Sequence, residues 1–139
     1  MRTLALDFGE RRIGVAVTDP AGAIALPLET IPRSGPADNA YLQRITELVG
    51  KYGVTGIVVG LPLHLDGRRG PEAEAAQAFG EAIAQHTGVA VEFLDERWTT
   101  LEAERVLRET GSKRRKNRER VDPVAAAILL RAYIGSRGS

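Results

Sequence analysis

Thr3-Leu4-Ala5-Leu6-Asp7-Phe8-Gly9-Glu10-Arg11-Arg12-Ile13-Gly14-Val15-Ala16-Val17-Thr18 reads as two short strands, residues 3–7 and 13–18, separated by the polar turn 8–12. Asp19-Pro20-Ala21-Gly22 is a second turn signal, and residues 23–31 form a third strand-like run. The simplest arrangement is an antiparallel meander. Proline cannot donate to a ladder, so Pro27 and Pro32 assign the third strand to a sheet edge.

Downstream the pattern alternates. Tyr41, Leu42, Ile45, Leu48 and Val49 recur at helical spacing, which predicts an amphipathic helix over 37–52 closed by Gly53. Residues 55–61 contain the continuous apolar run Ile57-Val58-Val59, the mark of a strand covered on both faces and hence central. Gly70-Pro71-Glu72 opens a helix that runs to His86, residues 89–94 form the next strand, and Thr99-x-x-Glu102 is the capping box of a helix over 100–109. Asp122-Pro123 then begins an alanine-rich helix reaching Ile134. A meander followed by alternating units gives an α/β fold with a mixed five-stranded sheet and helices on both faces. At 139 residues the chain reads as one domain, 1–139.

Composition narrows the chemistry. There is no cysteine, which excludes disulfide frameworks, thiol nucleophiles and zinc ribbons, and only two histidines, His64 and His86. No apolar run approaches the ~18 residues of a membrane span. The N-terminus reaches Asp7 too early for a signal peptide, so a cytoplasmic setting without membrane contact is expected. The net charge is only +1, but Lys113-Arg114-Arg115-Lys116-Asn117-Arg118-Glu119-Arg120 carries +5 and leaves −4 for the rest. Positive charge is concentrated in one loop.

Three carboxylate positions can carry chemistry. Asp7 ends the first strand, where it serves either a cleft or the turn that follows. Asp95-Glu96-Arg97 closes the last strand, and because adjacent strand residues face opposite sides, at most one of the two acids can meet Asp7 while the strand continues. The alternative for Asp95 is a solvated pair with Arg97. Asp122 before Pro123 suits a helix N-cap as well as a ligand. Together they form the hard oxygen donor set that Mg²⁺ or Mn²⁺ prefers. Two carboxylates ~4 Å apart repel by about 4 kcal/mol at an effective dielectric of 20, so a cluster calls for a cation. Such ions support phosphodiester hydrolysis. The basic loop fits a polyanionic substrate, with Lys113, Arg114, Arg115, Lys116, Arg118 and Arg120 as phosphate contacts and Arg11, Arg12, Arg68 and Arg69 extending the track; a solvated charge run is the alternative. His64, in the loop after residues 55–61, either touches substrate or is a hydrogen-bonded loop residue.

Asp7-Phe8-Gly9 between paired strands also suits the phosphate-cradling turn of actin-like ATPases and sugar kinases, which bind ATP between two such domains. No P-loop or dinucleotide fingerprint is present.

Four motifs in order, Leu6-Asp7-Phe8-Gly9-x-x-x-Ile13-Gly14-Val15-Ala16, Ile57-Val58-Val59-Gly60-Leu61-Pro62-Leu63, Asp95-Glu96-Arg97-x-Thr99 and Val121-Asp122-x-x-Ala125-Ala126, resemble the YqgF family, also called RuvX, over nearly the whole chain. The resemblance implies an RNase H-like fold and a nuclease acting on structured nucleic acid, either branched DNA at Holliday junctions or the 5′ end of pre-16S ribosomal RNA. It implies Asp7, Glu96 and Asp122 as catalytic metal ligands, with Asp95 the substitute for Glu96. In the related RuvC-type resolvases the second carboxylate lies on the fourth strand, where this chain has Val58, Val59 and Gly60. The expected activity is Mg²⁺- or Mn²⁺-dependent endonucleolytic cleavage. A catalytically silent nucleic-acid-binding module is the second reading, and an actin-like nucleotide hydrolase the third. Symmetric cutting of a junction would favour a homodimer, whereas trimming RNA requires none.

Overall fold

Residues 1–9, 11–35, 39–63, 66–96 and 118–137 are described by a computed structural model of the chain, the last stretch with its side chains from Pro123 onward. The first two strands form as β1 (Arg2–Phe8) and β2 (Arg12–Thr18), antiparallel, with Leu4 opposite Val17 and Asp7 opposite Gly14. Their turn is tight: the Gly9 N–H donates to the Arg12 carbonyl at 2.9 Å, and a β-carbon on Gly9 would come 2.7 Å from that oxygen. In the next turn the Asp19 carboxylate accepts the Ala23 and Ile24 N–H groups at 2.8 and 2.9 Å, bonds that hold it below the usual carboxylate range. β3 (Ala25–Pro32) pairs antiparallel to β2 and lies at the sheet edge, as its prolines require.

After α1 (Tyr41–Tyr52), β4 (Val54–Leu61) returns parallel to β1, and after α2 (Pro71–Thr87), β5 (Val91–Asp95) lies parallel to β4. Both helices end on a left-handed glycine: Gly53 (φ 61°) and Gly88 (φ 74°) donate their N–H groups to Val49 and Ala84. The final helix, α3, spans Arg118–Arg137. The sheet order is β3-β2-β1-β4-β5. No helix among the described residues is long and apolar enough to cross a membrane.

Strand alternation divides the interior in two. Leu4, Leu6, Ile13, Val15, Val17, Ile57 and Val59 meet Ile45 and Leu48 of α1 and Phe79 and Ile83 of α2. On the opposite face Ala5, Ala16 and Val58 meet Ala126, Ala127, Leu129 and Leu130 of α3. This second face is built from small side chains, so α3 seats closely across β1, β2 and β3. Asp7 follows Ala5 by two residues and therefore shares the α3 face.

Several expected boundaries move. β4 is buried on both faces, as its apolar run predicts, but β1 is the middle strand because the α1 crossover returns the chain beside β1 and leaves β5 outermost. α1 begins at Tyr41 rather than residue 37, which lies outside the described residues, and β5 begins at Val91 rather than residue 89. α3 is already helical at Arg118, where the described residues resume, so Asp122 stands inside the helix and is not its N-cap. Proline forbids its own N–H bond and disfavours helical geometry in the residue before it, but neither effect prevents helical turns upstream. Asp-Pro marked a preferred start and not the actual one. The helix expected over 100–109 lies outside the described residues.

Candidate active site

Asp7 and Glu96 come from non-adjacent strands. Asp7 is the sixth residue of β1, and Glu96 follows directly after β5. On β5, Val91 and Phe93 belong to the α1/α2 side, whereas Leu94 packs in the α3 cluster and Glu92 reaches Tyr133 of α3. The strand ends at Asp95, which has the phase of Phe93; Glu96 lies in the 3-10 turn that follows, and its hydrogen bond with Asp7 puts it on the face of Leu94 and Asp7. A cavity of about 170 Å³ is lined by Asp7, Glu96 and, from α3, Ala125 and Leu129.

Electrostatics mark the pair as costly. Burial, then the charge of Asp7, a hydrogen bond with Asp7, and more weakly Asp95, push the Glu96 carboxyl up to about 7 from an ordinary 4.5. A hydrogen bond between two carboxyl groups needs a proton on one of them. Near neutral pH the pair therefore holds a shared proton or a cation. Two adjacent, partly buried carboxylates offer only hard oxygen donors, which suits Mg²⁺ or Mn²⁺ and no soft metal. Among the described residues no third His, Cys, Asp or Glu joins them to make a three-group metal cluster. The third expected member, Asp122, is described only by its backbone, which falls three and seven residues before Ala125 and Leu129 in α3, at spacings that share one helical face.

The raised Glu96 pKa has a stability consequence in the metal-free protein. The folded state keeps a proton that the unfolded state releases near 4.5, so the stabilisation is complete below 4.5 and is lost as pH rises through about 7. With allowance for solvent reaching the group, the loss is on the order of 2 kcal/mol, or roughly 5 °C in Tm. Melting followed from pH 5 to pH 8 in chelator should show this fall in the wild type and much less of it in Glu96→Gln. Equal slopes would mean that neither burial nor Asp7 raises the Glu96 carboxyl in the folded protein.

The expected phosphate-contacting residues divide into three groups. Arg11 is exposed in the β1–β2 turn and Arg12 opens β2, half-buried, both at the same sheet end as Asp7. Arg68 and Arg69 lie between β4 and α2, again at this end, but each has an acidic neighbour: Arg68 pairs with Asp66 at 2.6 Å, and Arg69 lies 3.3 Å from Glu74 and bonds Gln77. Lys113, Arg114, Arg115 and Lys116 lie outside the described residues, as do His64 and Arg97; Arg118 and Arg120 are placed by backbone alone at the start of α3. A larger cavity, about 520 Å³, opens at the far end of the sheet. Its carboxylate, Glu92, is already bonded to Tyr133 and Arg137, so size does not make it the chemical site.

Sequence reasoning missed Gly60. An ideal β-carbon there would lie 3.0 and 3.1 Å from Glu96 Cγ and Cδ, and closer still to Oε1. The available signal was a lone glycine in an apolar strand run, which often marks a close approach.

Known proteins resemble this chain in sequence and in fold. The RuvX family model, described as Holliday junction resolvase, matches residues 1–136. A protein of Chloroflexus aggregans named "Putative pre-16S rRNA nuclease" is 48% identical over 134 residues, covering 96% of this chain and 93% of the relative. A protein of the same name from Pelotomaculum thermopropionicum is 45% identical over 138 residues, covering 99% and 89%. Among solved structures, T. thermophilus RuvC in complex with a Holliday junction substrate superposes with a TM-score of 0.62 at 19% identity, covering 100% of this chain and 97% of that one. That likeness establishes the RNase H-like fold.

Proposed function

We propose that this chain, which belongs to the RuvX family, is a divalent-metal-dependent endonuclease, one nuclease domain across residues 1–139, that cleaves pre-16S ribosomal RNA. The observation that carries the reading is the Asp7–Glu96 carboxyl pair, shared between β1 and the end of β5 and lining one cavity against α3. Asp7 and Glu96, completed by Asp122, would hold Mg²⁺ or Mn²⁺. When bound, such a cation supplies Lewis-acid stabilisation of a phosphodiester and lowers the pKa of an attacking water. Asp7 is held by the β1–β2 ladder and Glu96 by the end of β5, so the two carboxylates are oriented before substrate arrives. Arg11 and Arg12 at the same sheet end, with Arg68, Arg69 and the stretch 113–120, bind the phosphate backbone. The curated relatives, at 45–48% identity, favour the RNA substrate.

The description of the family favours a second reading, resolution of a four-way DNA junction by a two-fold dimer. Purified protein assayed side by side on a pre-16S RNA fragment and a four-way junction, with each metal and with chelator, separates the two. Cleavage of the RNA alone is expected, and junction cleavage alone would replace the first reading by the second. Binding without cleavage of either would make the chain a silent binding module, and ATP turnover without nucleic acid an actin-like hydrolase. A cytoplasmic setting belongs to the same reading and accords with the absence of cysteine.

The basic stretch should act on affinity and not on the chemical step. Replacing Lys113, Arg114, Arg115 and Lys116 by alanine removes up to four phosphate contacts, each contributing about 0.7–0.9 to the slope of log affinity against log salt. Binding measured across a salt series should weaken and its slope should flatten by less than the full count, with the rate at saturating substrate nearly unchanged. An unaltered slope would leave the track to Arg11, Arg12, Arg68 and Arg69.

A further inference from the structure

We infer that Gly60 is a positioning residue for the carboxyl pair: lacking a side chain, it leaves on β4 the space through which Glu96 reaches across to Asp7. β1 and β5 are not neighbours, since β4 lies between them. Two strand spacings separate them by about 10 Å, so a side chain leaving the end of β5 must pass over β4 to meet one on β1. Gly60 stands at that crossing. It pairs with Leu94 on the β5 side, and on the β1 side it lies one residue beyond the Leu6–Val59 pair, which is the level of Asp7.

The requirement is for volume and not for backbone conformation. Gly60 is buried, and among the described residues the positive-φ glycines are Gly22, Gly53, Gly67 and Gly88, so its backbone conformation does not itself require glycine. Two residues earlier on the same face, Val58 fills its space against α3 completely. At Gly60 that space contains Glu96 Cγ and Cδ, 3.0 and 3.1 Å from where a β-carbon would stand. These atoms are the far end of a flexible side chain, so a methyl group at this position displaces Glu96 and leaves the strand in place. The length of glutamate matters equally, because an aspartate at the end of β5 would stop short of the crossing.

The inference deepens the cation-site reading and rests on it only for its metal measurements. The first measurement is metal-free: thermal unfolding at pH 8 in chelator, comparing Asp7→Asn in the wild type with Asp7→Asn in Gly60→Ala. Relief of the Asp7–Glu96 repulsion should raise the wild-type Tm by several degrees, and that gain should largely vanish in the Gly60→Ala background. The second is Mn²⁺ titration of the intact chain, in which Gly60→Ala should weaken binding at least tenfold. The third is relocation. Glu96→Ala should lose Mn²⁺ binding, and adding Gly60→Asp should recover a substantial part, since the new carboxylate occupies the vacated space beside Asp7. An undiminished Tm gain together with Mn²⁺ affinity unchanged by Gly60→Ala overturns the inference. If the wild type binds no Mn²⁺ yet the Tm gain disappears in Gly60→Ala, the metal reading fails and the positioning role of Gly60 stands.

Discussion

Asp7→Asn is expected to lower metal-dependent cleavage by roughly two orders of magnitude or more, the scale of removing a transition-state stabiliser, while nucleic-acid binding and the fold persist. Asp7 sits on the middle strand opposite Gly14, and its neighbours Leu4, Ala5 and Leu6 are fully buried, so its position is set by the sheet and not by the charge it carries. The amide preserves shape but removes the negative charge that a cation requires. Because the substitution also ends the repulsion with Glu96, the metal-free protein should become more stable as it loses activity. Simultaneous loss of stability and cleavage would instead give Asp7 a structural role. Asp122→Asn should behave similarly in cleavage. With α3 already helical at Arg118, loss of an N-cap no longer accounts for any effect there, and its change in stability should be within about 0.5 kcal/mol. Normal cleavage by Asp122→Asn would remove it from the ligand set.

Glu96→Gln should be at least fiftyfold more damaging to cleavage than Asp95→Asn, measured as kcat at saturating metal and nucleic acid. The two acids are adjacent in sequence but face opposite sides of the strand end. Asp95 pairs in the ladder with Leu61 and has the phase of Phe93 and the α1/α2 core, whereas Glu96, just past the strand, lies on the face of Leu94 and the α3 core and is the one hydrogen-bonded to Asp7. Asp95 still contributes charge to Glu96, so Asp95→Asn should lower the Glu96 pKa slightly and leave the rate within a few-fold. The reverse ranking would move the site to the other face of β5 and contradict the hydrogen bond that puts Glu96 beside Asp7.

The meander, the edge position of β3 and the Gly53 cap were legible because each depends on local chemistry: turn formers, missing N–H donors and left-handed backbone. Asp7 was legible as a strand-end carboxylate, and the choice of Glu96 over Asp95 came from the family motif before the hydrogen bond with Asp7 supported it. The start of α3 was not legible, because Asp122-Pro123 carries a start signal of its own and the helical backbone upstream of it runs through a highly charged stretch.

By itself the sequence determined which of the described segments become strands and helices, and which few carboxylates could carry chemistry in a chain without cysteine. Tertiary structure alone decided that β1 is the middle strand, that α3 lies against a face of alanines, and that Gly60 is the crossing point between Asp7 and Glu96. The physical reason is range. Propensity, capping and alternation act over a few residues along the chain, whereas the site depends on volume left empty between groups 53 and 36 residues apart in sequence, which exists only once β4 is seated between β1 and β5.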